Sequence, residues 1–432
     1  MAQEYKRIIL QPNKEKSLSR RHPWLFSGAI AKKDSNIKDG DIVEIFSNDG
    51  KYLATGYFQN ETIAVKVLTF EKQEINQDFI NQKVLSAVMY RKTMGMFGDE
   101  NNTIFRLINA EGDFLPGLIA DFYENMIVVQ FHSVGMYLMR DMIVKALAEN
   151  VPDIEFIYSK SSSTLPKCQD IQAKDEFLWT KSREGKASAF SDEFFNQIMM
   201  WVATENGCRY SIDFKQGQKT GFFIDQKSNR KLVSELSRGK TVLNCFCYTG
   251  GFSLAALKGG AVKVDSVDIS KRALNICDAN VDMNGFHNKT AVTHFEDKEL
   301  AEDIAAKPIV HESKCEDVVE YIDKIPSDMY DMIILDPPAF AKHQRDVNKA
   351  LKGYRTINQK AMEKIKSGGL LFTFSCSQAV SREEFATMLF SCAALAKRNV
   401  RIVRRLPHNY DHPQSIFHPE GEYLKGFLLY VE

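Results

Sequence analysis

Two short segments carry residue types able to act on an aromatic ring. Asp336-Pro337-Pro338 follows the apolar run Met332-Ile333-Ile334-Leu335, and Ser375-Cys376-Ser377 follows Leu370-Leu371-Phe372-Thr373-Phe374. Both runs read as buried strands. In an open α/β sheet, ligands bind at the carboxyl ends of the strands, so an acid and a thiol would share one crevice. An acid holds the polar edge of a base, and a thiolate attacks a ring carbon; together they suit carbon methylation of a pyrimidine. C5 of such a ring is a poor nucleophile. Thiolate addition at C6 breaks the aromaticity and leaves C5 enamine-like, able to attack a methyl sulfonium, so that one hard step becomes easier ones. Cys376 and Asp336 are the catalytic candidates. A free thiol ionises near pH 8.5, so the site must supply help, such as nearby cations. The bland reading of a lone cysteine is a small apolar filler; its place at a strand end opposite Asp336 favours catalysis. The two prolines remove backbone donors and fix the chain as it leaves the strand, which holds the aspartate in a set direction.

A second constellation points to a cofactor. Thr241-Val242-Leu243-Asn244-Cys245-Phe246 runs into Cys247-Tyr248-Thr249-Gly250-Gly251, and a helix follows. Glycine lets the backbone approach a ligand closely, and the helix start favours a carboxylate or phosphate. A GxGxxG fingerprint is missing, which weakens a dinucleotide and leaves S-adenosylmethionine. Asp268 ends the next strand, 24 residues after Asn244, the spacing of an acid that holds ribose hydroxyls. Asp265 is its rival but lies inside the strand; as a bland alternative, Asp268 caps the helix that follows. Asp317, beside Glu316, stands where an acid or amide reads an adenine amino group, although acids are common in first helical turns. The segment from Gln218 to Gln226 mixes Gly221 with Phe222, Phe223 and Asp225, and reads as a flap over a nucleoside or as a polar hairpin. The cofactor-contact candidates are Phe222, Asp225, Asn244, Phe246, Tyr248, Gly250, Asp268, Asp317 and Asp336.

The elements that position these residues divide into three textures. Residues 1–72 hold short strand-like runs (41–46, 52–58 and 63–68) with an Asn48-Asp49-Gly50 hairpin turn, which suggests a small barrel. Residues 73–205 mix helices at 78–95 and 137–149 with strands at 104–109, 117–121, 126–131 and 154–158; residues 159–200 are hard to read. Residues 206–432 alternate strands, near 241–246, 262–267, 308–313, 331–336, 369–375 and 399–405, with helices at about 251–258, 270–284, 316–324, 354–366 and 381–397. A final apolar run spans 426–431. Such alternation means a mostly parallel, doubly wound sheet. The fold class is therefore α/β: a Rossmann-like C-terminal sheet, a small N-terminal β-barrel and a central α+β domain.

The length of 432 residues suits two or three domains, and 44% apolar with 26% charged residues suits a soluble protein. No apolar run reaches a membrane span, and the N-terminus lacks a signal-peptide core, so the expected location is cytoplasmic, with no membrane partner. The eight cysteines form no CxxC pair, which fits a reducing compartment without structural zinc. Net charge is zero, yet basic patches at 1–33 and 342–355 offer local phosphate footprints. Arg20, Arg21, Trp24, Lys342 and Arg355 are the RNA-contact candidates; cations beside an aromatic suit RNA. A homodimer is compatible with the sequence.

With these residues in view, the chain resembles the bacterial class I S-adenosylmethionine-dependent methyltransferases that make 5-methylcytosine in 23S ribosomal RNA. The likeness runs through residues 16–30, 106–121, GQKTGFFIDQ (217–226), NCFCYTGGFS (244–253), SVDIS (266–270), DPPAF (336–340), GYRTIN (353–358), FSCS (374–377) and HPEGEYLKGF (418–427). It implies a PUA domain, a central domain and a methyltransferase domain, with ribosomal RNA as partner. It further implies Cys376 as covalent nucleophile, the turn at 244–251 with Asp268 and Asp317 on S-adenosylmethionine, and Asp336 between cofactor and cytosine. Two other readings stay open. Methyltransferases acting on an exocyclic amine of adenine or guanine use an acid or amide followed by Pro-Pro-aromatic and no thiol; here the aromatic, Phe340, comes one residue late. A non-catalytic RNA-binding assembly factor is the other.

Overall fold

The computed structural model describes residues 5–168, 171–181, 197–289, 308–341 and 344–432. The chain forms two compact units: residues 1–204, 212–224 and 410–421, and residues 205–211, 225–409 and 422–432.

The first unit holds two sheets. One has six strands, β1 (Lys6–Leu10), β2 (Trp24–Phe26), β3 (Ile30–Lys33), β4 (Ile42–Phe46), β5 (Tyr52–Phe58) and β6 (Ile63–Thr69), in the order β2-β6-β5-β4-β1-β3. β4 and β5 pair as the expected hairpin, with Gly50 at the turn at a φ of +85° that only glycine takes without strain. The alternating residues Val43, Ile45, Val65 and Val67 bury one face against Ile8, Leu10 and Leu25. The other sheet has five strands, β7 (Ile104–Asn109), β8 (Leu118–Tyr123), β9 (Met126–Phe131), β10 (Phe156–Lys160) and β11 (Asp175–Thr180), in the order β11-β10-β9-β8-β7. Helices α1 (Gln77–Thr93) and α2 (Arg140–Asn150) share its core. The helix expected at 137–149 is broken at Met139, which separates a short turn of helix at Val134–Leu138 from α2. Strand β11 falls in the stretch that was unreadable because its side chains are only half covered. A separate two-stranded sheet joins β12 (Trp201–Glu205) to β13 (Cys208–Ile212).

The second unit is built on seven strands: β14 (Thr241–Cys245), β15 (Lys263–Asp268), β16 (His311–Cys315), β17 (Met332–Leu335), β18 (Gly369–Ser375), β19 (Val400–Leu406) and β20 (Lys425–Val431). Their order is β16-β15-β14-β17-β18-β20-β19. Strands β14 to β18 run parallel; β20 is antiparallel to both of its neighbours. Both faces are buried, one by Leu243, Ile333, Leu335 and Leu371, the other by Val242, Met332, Ile334, Phe372 and Phe374. That double burial is why these strands read as unbroken apolar runs. The strand expected at 308–313 starts later, at His311, and the helix expected at 354–366 starts earlier, at Val347. The helices are α3 (Lys227–Leu236), α4 (Gly251–Lys258), α5 (Lys271–Met283), α6 (Val318–Lys324), α7 (Val347–Lys364) and α8 (Arg382–Ala396).

The chain lays β14, β15 and β16 outward in one direction, then returns to add β17 and β18 on the other side. The order therefore reverses between β14 and β17, the position at which open α/β sheets bind ligands. No helix among the described residues is long and apolar enough to cross a membrane.

Candidate active site

The carboxyl ends of β14, β17 and β18 carry the residues singled out from the sequence. Cys376 follows β18 and is half-buried. Its Sγ lies 3.7 Å from the carbonyl oxygen of Pro337, the residue after Asp336. The loop around it is pinned on both sides. Ser375 and Ser377 are fully buried; the Ser377 hydroxyl accepts from the Ala341 amide at 3.1 Å and sits 2.9 Å from the Tyr354 hydroxyl. Ala341 ends the Asp336 loop, so the acid-bearing and thiol-bearing loops are tied together.

Asp336 is half-buried, and its Oδ1 accepts from Gln226 Nε2 at 3.0 Å. The Gln226 side-chain oxygen Oε1 accepts in turn from Asn229 Nδ2 at 2.6 Å. Asp225 accepts from the Tyr423 hydroxyl at 2.6 Å. Phe222 is buried in the segment of the first unit that spans 212–224.

The turn after β14 is bent by residues in left-handed conformations: Phe246 at φ 58°, Tyr248 at φ 49° and Gly250 at φ 80°. Non-glycine residues hold such backbone only where the surroundings over-determine it, as at binding sites. Asp268 supplies part of that constraint, since its Oδ2 accepts from the Tyr248 amide at 2.9 Å and its Oδ1 from the Ser270 amide at 2.9 Å. The cap of α5 is Ser270, not Asp268. Asp265, the rival, is fully buried and accepts from the Tyr330 hydroxyl at 2.6 Å, a core role. Asp317 caps α6 through Oδ1, which accepts from the amides of Val319 and Glu320.

Behind the turn runs a buried polar chain: Asn244 Nδ2 to Ser253 Oγ (2.8 Å), Ser253 to Ser266 (2.6 Å), and Ser266 to His311 Nε2 (2.7 Å). His311 also meets Cys277 Sγ at 3.8 Å and, at 3.7 Å, Asp278. These three buried side chains are the one set among the described residues close enough to share a metal ion. Contact with Cys247 draws the Cys277 thiol down to about 5, against the effect of burial and with help from His311.

Of the RNA-contact candidates, Arg20 and Arg21 are exposed, with the Arg21 guanidinium 5.0 Å from the Phe70 ring centre. Trp24 donates its indole N–H to Glu111 at 2.9 Å and packs edge-on against His418 at 4.4 Å. Arg355 is exposed on α7, as are Lys349 and Lys352. Lys342 lies outside the described residues.

The sequence reading missed Gln226, Tyr354, Ser377 and Lys425. Each sits inside a segment it quoted. The available signal for Lys425 was a lysine opening an otherwise apolar strand, since lysine is almost never fully buried without a partner.

Residues 8–70 match the model of the PUA-like domain, and residues 160–308 match that of the S-adenosylmethionine-dependent methyltransferases. Over 426 residues the chain is 35% identical to ribosomal RNA large subunit methyltransferase I of Alteromonas mediterranea, which covers 98% of each protein. It is 36% identical over 425 residues to the protein of that name from Aeromonas hydrophila, again 98% of each. The chain belongs to the ribosomal RNA large subunit methyltransferase I family. A solved structure described as a SAM-dependent methyltransferase from Streptococcus mutans shares the fold of this family member, with a TM-score of 0.76 at 22% identity over 98% of this chain and 99% of that one. A methyltransferase complexed with SAH gives 0.77 at 22% identity, with the same coverage. The expected α/β fold, with a PUA-like N-terminal part and a Rossmann-like methyltransferase part, is borne out, as is S-adenosylmethionine as the cofactor.

The residues present fit that cofactor. Asn244 Oδ1 is buried at the strand end and finds no hydrogen-bond partner among the described residues, a mark of a group awaiting a ligand donor. A Cβ at Gly250 would lie 2.3 Å from Cys277 Sγ, so the turn is drawn in too tightly for any side chain. Each Asp268 oxygen has a second lone pair for a ribose hydroxyl.

Proposed function

We propose that this protein transfers a methyl group from S-adenosylmethionine to C5 of a cytosine in large-subunit ribosomal RNA through a covalent adduct with Cys376. The observation that carries the reading is the half-buried thiol 3.7 Å from the Pro337 carbonyl, on a loop tied to the one that bears Asp336. The names of the relatives supply the RNA class. Bound S-adenosylmethionine supplies an electrophilic methyl on a sulfonium. Asp268 would hold its ribose, Asp317 its adenine, and Asn244 with the 246–250 turn its remaining polar groups.

In this reading Asp336, oriented by Gln226, grips the polar edge of the cytosine. The Cys376 thiolate adds to C6, and the electron pair moves to C5, which takes the methyl group. Loss of the C5 proton and elimination of the thiolate restore the ring and free the enzyme. Arg20 and Arg21, with the surface around Trp24, would contact RNA on the PUA-like part, and Arg355 with its neighbours on α7 in the unit that holds Cys376.

The test uses ribosomal RNA carrying 5-fluorocytosine. Fluorine cannot leave as a proton does, so an attached thiol is trapped. A denaturant-stable protein–RNA adduct that Cys376→Ala abolishes is the expected result. An active enzyme that forms no adduct, with Cys376→Ala at full rate, ends the thiol mechanism and favours methylation of an exocyclic amine.

A further inference from the structure

Lys425 opens β20 and pairs across the sheet with Ser375 of β18. It is 2% exposed, and its Nζ donates to the carbonyl of Ser377 at 2.7 Å. The side chain thus runs from beside Ser375 to Ser377 and spans the residue between them, Cys376. A buried ammonium is costly unless a counter-charge is buried with it.

Among the described residues, the charged or ionisable groups that act most strongly on this ammonium are Cys376, then Glu422, Arg382 and Glu384. Glu422 is already paired with Arg382, 3.2 Å from its Nε. Glu384 is occupied in the capping box of α8, where it accepts from the Ser381 amide at 2.7 Å. Arg382 carries the same sign as the lysine. Tyr354, which also faces Cys376, is held neutral by burial. Both carboxylates keep their negative charge, but each is already committed to another partner, and the thiol acts on the amine more strongly than either.

We propose that the Lys425 ammonium is the counter-ion of the Cys376 thiolate and keeps that sulfur ionised near neutral pH. The inference rests on the reading of Cys376 as the nucleophile and names what activates it. The balance is simple: the thiol proton leaves to solvent, the ammonium keeps its own protons, and the negative sulfur stays beside the positive nitrogen. Coupling of this kind is reciprocal, and the thiolate in turn raises the affinity of the amine for its proton. Burial works the other way and pulls the Lys425 amine down to about 8. The charge is therefore present at neutral pH and lost in mildly alkaline solution.

The test is the pH dependence of Cys376 alkylation by iodoacetamide, followed by peptide mass spectrometry, in the full-length protein and in Lys425→Gln and Lys425→Arg. Only the thiolate reacts. In the native protein the alkylation midpoint is expected at least about one pH unit below the ordinary thiol value of about 8.5. Lys425→Gln should move it up by about one unit, which slows labelling at pH 7 roughly tenfold, and Lys425→Arg should restore it. A native midpoint at or above the ordinary value overturns the proposal without requiring any variant to fold, and so does a Lys425→Gln protein that folds and titrates like the native one. The measurement uses neither RNA nor methyl donor. A shifted midpoint in an enzyme whose Cys376→Ala form still methylates would therefore uphold the ion pair and remove only the covalent reading.

Discussion

Gln226 donates its side-chain amide to Asp336 across 3.0 Å, and Asn229 holds the far end of that amide at 2.6 Å. Gln226 and Asn229 are almost fully buried, so the amide has no water to turn toward. The acid at the end of β17 is thereby aimed by a residue 110 positions earlier in the chain.

Removing that aim should cost turnover. Gln226→Leu keeps the volume and deletes the donor. The loss of one preorganised hydrogen bond at a reacting group is worth about a hundredfold in rate, so single-turnover methylation should fall by about 10- to 100-fold. Asn229→Ala acts one step further away and should show a smaller loss in the same direction. Native rates in both proteins would mean that the acid needs no such orientation.

Gly250→Ala should damage the cofactor turn in two ways. The residue sits at φ 80°, and an added Cβ would meet Cys277 Sγ at 2.3 Å. Left-handed backbone costs a non-glycine residue about 1–2 kcal/mol, and the collision adds to it. Calorimetry should show S-adenosylmethionine binding weakened by about tenfold or more. Pairing the change with Cys277→Ala removes the collision but not the backbone strain, so it should recover part of the affinity. Full recovery, or none, would assign the whole effect to one cause.

Much of this arrangement was legible in the sequence because its signals are local. Buried parallel strands read as apolar runs, and the prolines after Asp336, the glycines after β14 and the serines around Cys376 mark strand ends. The partners of those residues were not legible. Gln226 reaches Asp336 from 110 residues earlier in the chain, and Lys425 reaches Ser377 because β20 inserts antiparallel beside β18; periodicity reports neither placement. β16 was legible in part, since the strand read at 308–313 lies at His311–Cys315. Its residues His311 and Ser313 are polar because they answer Ser266 and Asp278, so the apolar pair Ile309-Val310 ahead of them drew the expected start too early. The start of helix α7 is hard to read because exposed Asn348, Lys349 and Lys352 surround only two buried residues, Val347 and Ala350, in its first turns.

The second unit also depends on a buried ion pair. Arg230 on α3 donates from both arms of its guanidinium to Glu205, at 2.6 and 2.7 Å, and both side chains are almost wholly covered. Truncating one partner leaves the other charged and dry, which costs about 3–5 kcal/mol. Arg230→Ala should lower the urea midpoint by that amount of stability, and Glu205→Gln, which keeps the acceptor shape, by less. Replacing both with apolar residues of similar size should recover much of the loss. A single variant as stable as the native protein would show that the pair contributes nothing.

The lysine beneath Cys376 should weigh on stability, and pH gives the sign. In the unfolded chain a lysine amine titrates near 10.4, whereas burial holds Lys425 near 8 in the folded protein. Below pH 8 the amine is charged in both states, and the folded state bears the whole cost of burying it. Between about 8 and 10.4 the folded protein loses the proton that the unfolded chain keeps, so the cost is relieved as pH rises. At about 1.4 kcal/mol for each pH unit between those values, it amounts to roughly 3 kcal/mol. Lys425→Met should therefore gain most over the native protein at pH 7, with the difference shrinking toward pH 10. Urea unfolding of the two proteins at pH 7, 8.5 and 10 measures it, and groups that do not interact with Lys425 cancel in the subtraction; Cys376, which loses its counter-ion in Lys425→Met, adds its own contribution. A difference that stays level across that range would mean the amine is not held down by the fold. A stability gain that comes with slower methylation is the trade expected where a charge is kept at an active site for its chemistry.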